Sequence, residues 1–466
     1  MSNFSRRDFL AASLAATGST FSLSEWSFAN NEETSANPNL HLAPFRFDVS
    51  PPKGHSLCGG WIKPVVGYDD SLEAIGYVLL GAGKPIVVCA VDWTGLLNDA
   101  HIAWRKALAD AAGTTIDRVA VQCVHQHNAP FACLNTEQIV LEQGDLPHVI
   151  ELDFFNSCLE RARKAVAAAL PKAEAVTHIA HSQSKVEKVA SNRRIDRDKN
   201  GKIKRMRGSS CKDESLRSMT EGIIDPWLKT IAFYNKDKKL VSCHYYATHP
   251  MSYYGDGRVS SDFTGIARKQ RQEEEPGCTH IYFTGCAGNV SAGKYNDGSH
   301  EMRKILARRI YDGMIASEKQ LKPEPIGQVS WKSHDILPPV RNTYQAAELK
   351  KRISNKANRV VNRNRPSFTL AWLERVEKKV PITLSSLQMN DIKTLHLPAE
   401  SFIEYQLRAQ SMQPDQFIAT AAYGDGGPWY IPIAEEYPAG GYEVSVAFCD
   451  PKVDTIMTQG MKFLLS

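Results

Sequence analysis

Three histidines and a serine stand where the chain leaves apolar runs. In CVHQHNAP, residues 123–130, His125 and His127 follow the run VAVQCV. An i, i+2 spacing puts two imidazoles on one face of an extended chain. Such a pair at the end of a strand suits a metal ligand beside an acid/base group, and it equally suits two hydrogen-bonded structural histidines. A second run, LVSCHYYATHP, ends at His249, while His244 inside it reads as structural. A third run, HIYFTGCAGNVSAG, breaks into Gly285, Ala287, Gly288 and Gly293, a backbone suited to close approach of a ligand. Ser291 is the hydroxyl inside that turn, and by composition alone it is also an ordinary turn serine.

These residues need a sheet to hold them. Residues 43–50, 74–81, 85–92 and 117–124 read as strands, the last two as near-continuous apolar runs of the kind found in a sheet covered on both faces. Helical spacing occurs at about 98–113, 148–169, 262–274, 298–317, 344–357 and 401–411. The expectation is an α/β chain: a mixed β-sheet core covered by helices, forming a single large catalytic domain over 41–466. No internal repeat is evident, and the Asn/Glu/Ser-rich segment 30–40 reads as a flexible linker. The basic stretch 340–378, which contains KKRISNKANRVVNRNR, reads as a solvated helical excursion, with a membrane-surface or acidic-ligand patch as the sharper alternative.

The 466 residues are 42% hydrophobic and 23% charged, which excludes a disordered, collagen-like or polytopic membrane chain. A formal net charge of +5, evenly spread, is too mild to mark a nucleic-acid partner. Residues 1–29 carry a twin-arginine pattern at Arg6 and Arg7, a mildly apolar run and a small-residue exit, the form of a twin-arginine signal peptide. The mature protein is therefore expected to be exported to the periplasm or beyond, without an integral membrane segment. Ten scattered cysteines without a CxxC fit buried free thiols in a protein that folds before export, with room for one or two bridges. Asp196, Asp198, Asn200 and Gly201 imitate a calcium loop, but Arg207 stands where a bidentate glutamate is required, so the stretch reads as a hairpin turn with Asn and Gly at positive φ.

Six motifs in order, CVHQHNAP, YYATHP, VSSDFTG, CAGNVS, LPAES and WYIPIAEEYPAGGYE, resemble the catalytic region of the neutral, non-lysosomal ceramidases. The resemblance implies one zinc ion per chain, held by His125, His249, Glu400 and Tyr430. It implies that Ser291 corresponds to the family's serine, described as a nucleophile, and that His127, Arg193 and Tyr442 contact substrate. Two imidazoles, a carboxylate and a phenolate form a borderline N/O site in which a metal-activated water attacks an amide carbonyl. Glu400 and Tyr430 also have ordinary readings, a carboxylate at a helix start and a half-buried aromatic. Without a base near it in sequence, Ser291 reads better as a positioning group than as a nucleophile. The substrate class implied is a small-molecule or lipid N-acyl amide, ceramide or ceramide-like, and peripheral membrane contact is left open. Other bonds, such as an ester, a phosphoester or a carbohydrate linkage, stay as alternatives, as does a binding protein that has lost turnover. The motifs depart from the family at Ala292, Gly293, Asn128 and Ala129, and the family's carboxyl-terminal β-sandwich is expected to be absent.

Overall fold

Apolar runs need cover on both faces. In the computed structural model of the chain, which describes residues 30–36 and 39–466, they form strands of three five-stranded sheets. The first sheet runs in the order Val119–Cys123, Ile86–Val91, Glu73–Leu80, His41–Asp48 and Glu174–Ala175. The second runs Thr279–Thr284, Lys238–Tyr246, Trp227–Asn235, His178–Lys185 and Glu324–Pro325. The third runs Asn30–Ala36, Gln328–Ile336, Ile382–Met389, Ile392–His396 and Phe417–Ala421. The architecture is α/β with mixed sheets covered by helices, as the sequence pattern implies.

Each sheet contains one parallel pair at an edge: Ile86–Val91 with Val119–Cys123, Lys238–Tyr246 with Thr279–Thr284, and Ile392–His396 with Phe417–Ala421. Parallel neighbours need a crossover, and a helix supplies it each time: Asp99–Ala112, Asp262–Glu274 and Ile403–Met412. Each crossover helix packs on a second helix further along the chain, Leu152–Ala169, His300–Glu318 and Val453–Leu465 respectively. The sequence shows no repeat, yet the architecture repeats three times. The reason is that packing requires only apolar faces at the right period, which unrelated residues can supply.

The carboxyl ends of the three parallel pairs meet. Cys123 N–H donates to the Tyr423 carbonyl (2.8 Å), Ala422 N–H to Thr284 (2.8 Å), and the Thr284 hydroxyl to Val124 (2.7 Å). Buried Gln122 ties the first sheet to the third by donating from Nε2 to the carbonyls of Leu397 (3.1 Å) and Ala421 (2.8 Å). One apolar core extends from Leu40 to Leu465 through all three sheets.

Two expectations are corrected. Most of the stretch read as a linker, 30–40, is the strand Asn30–Ala36, paired antiparallel along the edge of the third sheet with Gln328–Ile336. Its polar residues suit an exposed edge, which composition alone does not distinguish from a linker. The basic stretch 340–378 is helical over Ala346–Ser354 and Val360–Glu377, but it is not simply solvated: Phe368, Leu370, Ala371 and Trp372 are buried. Two of its arginines turn inward to carboxylates, Arg363 to Asp145 (2.7 Å) and Arg375 to Asp425 (2.6 Å). Asp196–Arg197 and Ile203–Arg205 form the expected hairpin, with only Gly201 at positive φ. Arg207 is fully buried and donates to the carbonyls of Asn192 and Thr220.

All ten cysteines are buried free thiols. Burial pushes Cys58 and Cys158 up to about 12 and Cys133 to about 11, and it raises Cys89, Cys123, Cys243, Cys278, Cys286 and Cys449 as well. Among the described residues no helix is long and apolar enough to cross a membrane. The expected signal peptide, residues 1–29, lies outside the described residues.

Gln122→Leu keeps the volume but removes two buried donors that join two sheets. It is expected to lower the unfolding free energy by about 1–3 kcal/mol, read from urea titration followed by circular dichroism.

Candidate metal centre

His125 follows the first sheet's parallel strand by two residues, yet the strand pleat does not aim it. Its φ is 75°, a left-handed conformation that a non-glycine residue rarely adopts. The kink is fixed by its own N–H donating to Trp93 (2.9 Å) and by Nδ1 against the Thr94 carbonyl at 2.6 Å. His249 follows the second sheet and sets Nδ1 3.0 Å from the Ala287 carbonyl. Glu400 follows the third sheet; its N–H donates to Trp429 (3.0 Å), and the preceding Ala399 has φ 52°. Trp429, before Tyr430, has φ 64°, and Tyr423 has φ 61°. Left-handed residues at this density store local strain that only a well-packed surround can hold.

The three side chains converge. His125 Nε2 lies 2.9 Å from His249 Nε2, and Glu400 Oε2 lies 3.3 Å and 3.4 Å from those two nitrogens. A carbonyl only accepts, so each Nδ1 facing one holds the ring proton and each Nε2 presents a lone pair. Burial, followed by His125 and Arg193, holds the His249 pKa well below the usual imidazole range. Glu400 Oε2 is buried and has no hydrogen-bond partner. Two ring nitrogens and a carboxylate oxygen therefore face one another, an arrangement suited to a cation held between them. Ligand atoms about 2.0–2.1 Å from a tetrahedral ion lie about 3.3 Å from one another, which is the spacing found for Glu400. The donor set fits a zinc-like cation, and each imidazole has the carbonyl partner that metal-bound histidines usually have.

The other predicted residues surround this triad. His127 packs edge-on against His125 with ring centroids 5.0 Å apart, its buried Nε2 has no partner, and its Nδ1 is 3.8 Å from Cys58 Sγ. His125, His127 and His249 also form a trio whose nitrogens lie within 4.8 Å of one another. Tyr430 is placed by parallel pairing of Glu400–Ser401 with Tyr430–Ile431, and its hydroxyl accepts from Arg193 Nη1 at 3.4 Å. Burial and then Glu400 raise its pKa well above the usual phenol value. Burial alone would lower the Arg193 pKa, but Glu443 and then Tyr430 outweigh it and hold it above its ordinary value. The Arg193 guanidinium lies 5.6 Å from the centroid of the Tyr442 ring, and Tyr442 is part exposed.

Ser291 is fully buried on the two-residue strand Val290–Ser291, bridged to His249, and its hydroxyl donates to the Gly208 carbonyl at 3.2 Å. Among the described residues no imidazole, amine or carboxylate lies within hydrogen-bond distance of it. His244 is apart from this centre. It contacts His280 at 3.2 Å near Glu318, whose carboxylate is already taken by Lys239 (2.9 Å) and Arg271 (2.8 Å).

Sequence reasoning missed several neighbours. Tyr423, stacked on His125 at 4.3 Å, follows the apolar run FIATAA, the same signal that marked His125 and His249. Glu443 is next to Tyr442; it is wholly buried between Arg193 (3.3 Å) and Arg194 (2.9 Å). Trp61, Phe131, Phe368 and Trp429, from four separate stretches of the chain, form an aromatic wall with centroids 5.1–5.9 Å apart, which no local pattern announces.

Two solved structures share the architecture. One, a ceramidase complexed with C2, has a TM-score of 0.67 and 12% identity over 92% of this chain and 75% of its own. The other, the neutral ceramidase from Pseudomonas aeruginosa, has a TM-score of 0.66 and 14% identity over the same shares. No protein-family model matches the chain, and no curated protein matches it by sequence. The fold is neutral ceramidase-like, as the six ordered motifs led one to expect.

Glu443→Ala would leave the buried Arg193 guanidinium without its carboxylate and Arg194 with Glu436 alone. It is expected to destabilise the protein by about 3–5 kcal/mol in urea unfolding, with Glu443→Gln losing less because the amide oxygen still accepts.

Proposed function

We propose that the chain is a zinc-dependent hydrolase of N-acyl amide bonds, carrying one zinc per molecule at His125, His249 and Glu400, with Tyr430 beside them as the fourth candidate. The observation that carries this reading is the meeting of two Nε2 lone pairs and an unpartnered carboxylate oxygen within 3.4 Å. Bound there, the metal would supply Lewis-acid chemistry, polarising a carbonyl oxygen and making water more acidic. Both structural neighbours are described as ceramidases, which supports an amide bond in a lipid-like substrate.

The chain's own residues divide the remaining tasks. His127 presents a neutral imidazole whose buried Nε2 is free to hold a proton passing to the leaving nitrogen. Arg193, fixed by Glu443 and reaching Tyr430, directs positive charge at the oxygen on which negative charge develops. Tyr442, part exposed at the rim, offers a hydroxyl to the substrate amide. Ser291, with no base in reach, positions substrate. Among the described residues Glu400 is the one carboxylate that meets the two histidines, whereas a two-metal phosphoesterase uses carboxylates to bridge its ions. With the twin-arginine segment, the reading becomes that of an exported enzyme acting in the periplasm or outside the cell.

His125→Ala should lose zinc, measured by elemental analysis, and amide hydrolysis together, whereas His127→Ala should keep about one zinc per chain and lose most activity. Full zinc retention in His125→Ala would refute the ligand assignment. Ser291→Ala should cost only a few-fold in kcat with no change in metal content; loss of four orders of magnitude would instead make the serine an obligatory nucleophile.

A further inference from the structure

Beside the metal centre lies an open groove of about 230 Å³. Trp429 belongs to both places: it lines the groove, and it also closes a small space against His125 and Glu400. The groove's lining mixes polar and apolar surface, with the rings of Tyr344, Trp429, Tyr442 and Phe448 among its residues. Its volume is below that of a site for a whole drug-sized ligand, as befits a subsite for one part of a substrate reacting next door.

The charge in this groove is one-sided. Arg352 and Arg365 line it and no aspartate or glutamate does. On the helix Val360–Glu377, Arg363 and Arg375 each meet a carboxylate, at 2.7 Å and 2.6 Å. Arg365, on the same helix, faces the groove. Among the described residues it makes no ion pair and no side-chain hydrogen bond, and its guanidinium lies 5.2 Å from the ring centroid of Trp61, within cation–π range. A planar guanidinium held against an aromatic face with its N–H fork free is arranged for bidentate recognition of an anion.

We propose that this groove is the specificity subsite for a negatively charged substrate: an N-acyl amide whose amine-side portion enters the groove and whose carboxylate, on that portion, is taken by Arg365, with Arg352 adding charge. The proposal rests on the amide-hydrolase reading of the adjoining centre and narrows it from neutral lipid amides to anionic ones.

The test compares N-octanoylglycine with N-octanoylglycinamide, which differ in charge and share the acyl chain and the scissile bond. The protein is the zinc-loaded full chain, as wild type, Arg365→Ala and Arg365→Lys. Wild type should favour the acid over the amide by about tenfold or more in kcat/KM, through KM, with the preference shrinking as salt rises. Arg365→Ala should lose about tenfold on the acid and stay within about twofold on the neutral compound, and Arg365→Lys should fall between. Equal kcat/KM for the two compounds in wild type would overturn the proposal, and so would equal losses on both in Arg365→Ala; either result leaves amide hydrolysis standing. If neither compound is turned over, the amide-hydrolase reading fails for them, and tryptophan fluorescence decides the subsite separately. A saturable change with N-octanoylglycine in wild type but not in Arg365→Ala upholds the anion site. No saturable change with either compound overturns it.

Discussion

Three main-chain and side-chain hydrogen bonds, from Cys123 to Tyr423, from Ala422 to Thr284 and from Thr284 to Val124, hold the carboxyl ends of three separate sheets against one another. They join segments that are far apart in sequence at the points where the strands stop. Because each parallel pair ends here, each following loop begins here, and the loops carry His125, His249, Ser291, Glu400 and Tyr430. Loosening that junction would change the 2.9 Å and 3.3–3.4 Å separations on which the proposed metal site depends. A metal ion tolerates little change in such distances.

Charge is arranged around the centre by the same economy. The buried carboxylate of Glu443 serves both Arg193 and Arg194, and Arg194 also reaches Glu436 at 2.7 Å. Arg193 is thereby kept cationic close to Tyr430 without being free to swing onto Glu400. Glu400 is left as the carboxylate with an unpartnered buried oxygen at the ligand set. Arg193 and Arg194 are neutralised by protein carboxylates, whereas Arg365 at the groove has no such partner among the described residues, and the proposed roles follow that division, positioning charge inside and recognising charge at the groove.

Much of this was legible in the sequence wherever a functional residue follows an apolar strand, because burial on both faces leaves a readable run and the run's end marks where loops gather. His125, His249 and Ser291 were found in that way, and the same signal lay unused at Tyr423. Glu400 and Tyr430 were reached only through family resemblance, since each is separated from its strand by a left-handed turn, at Ala399 and Trp429, that has no sequence signature outside glycine. The i, i+2 spacing sets His125 and His127 side by side on an extended chain, whereas His125 sits in a left-handed kink. The segment 340–378 looked solvated because its basic residues hide an apolar face, and two of its arginines point inward to Asp145 and Asp425. The aromatic wall draws its members from four distant stretches of the chain, so no window of sequence contains it.

The ten cysteines lead to a different kind of consequence. In the folded molecule each thiol is buried, and for nine of them burial moves the thiolate further out of reach at neutral pH. Thiol–disulfide exchange runs through the thiolate, so burial shields the native protein's thiols from it. The unfolded chain has no such protection, and ten accessible thiols admit a great many wrong pairings. The oxidation state of the cysteines in a purified sample is thus a chemical clock: ten free thiols record that the chain closed before it met an oxidant, and any bridge records that it did not.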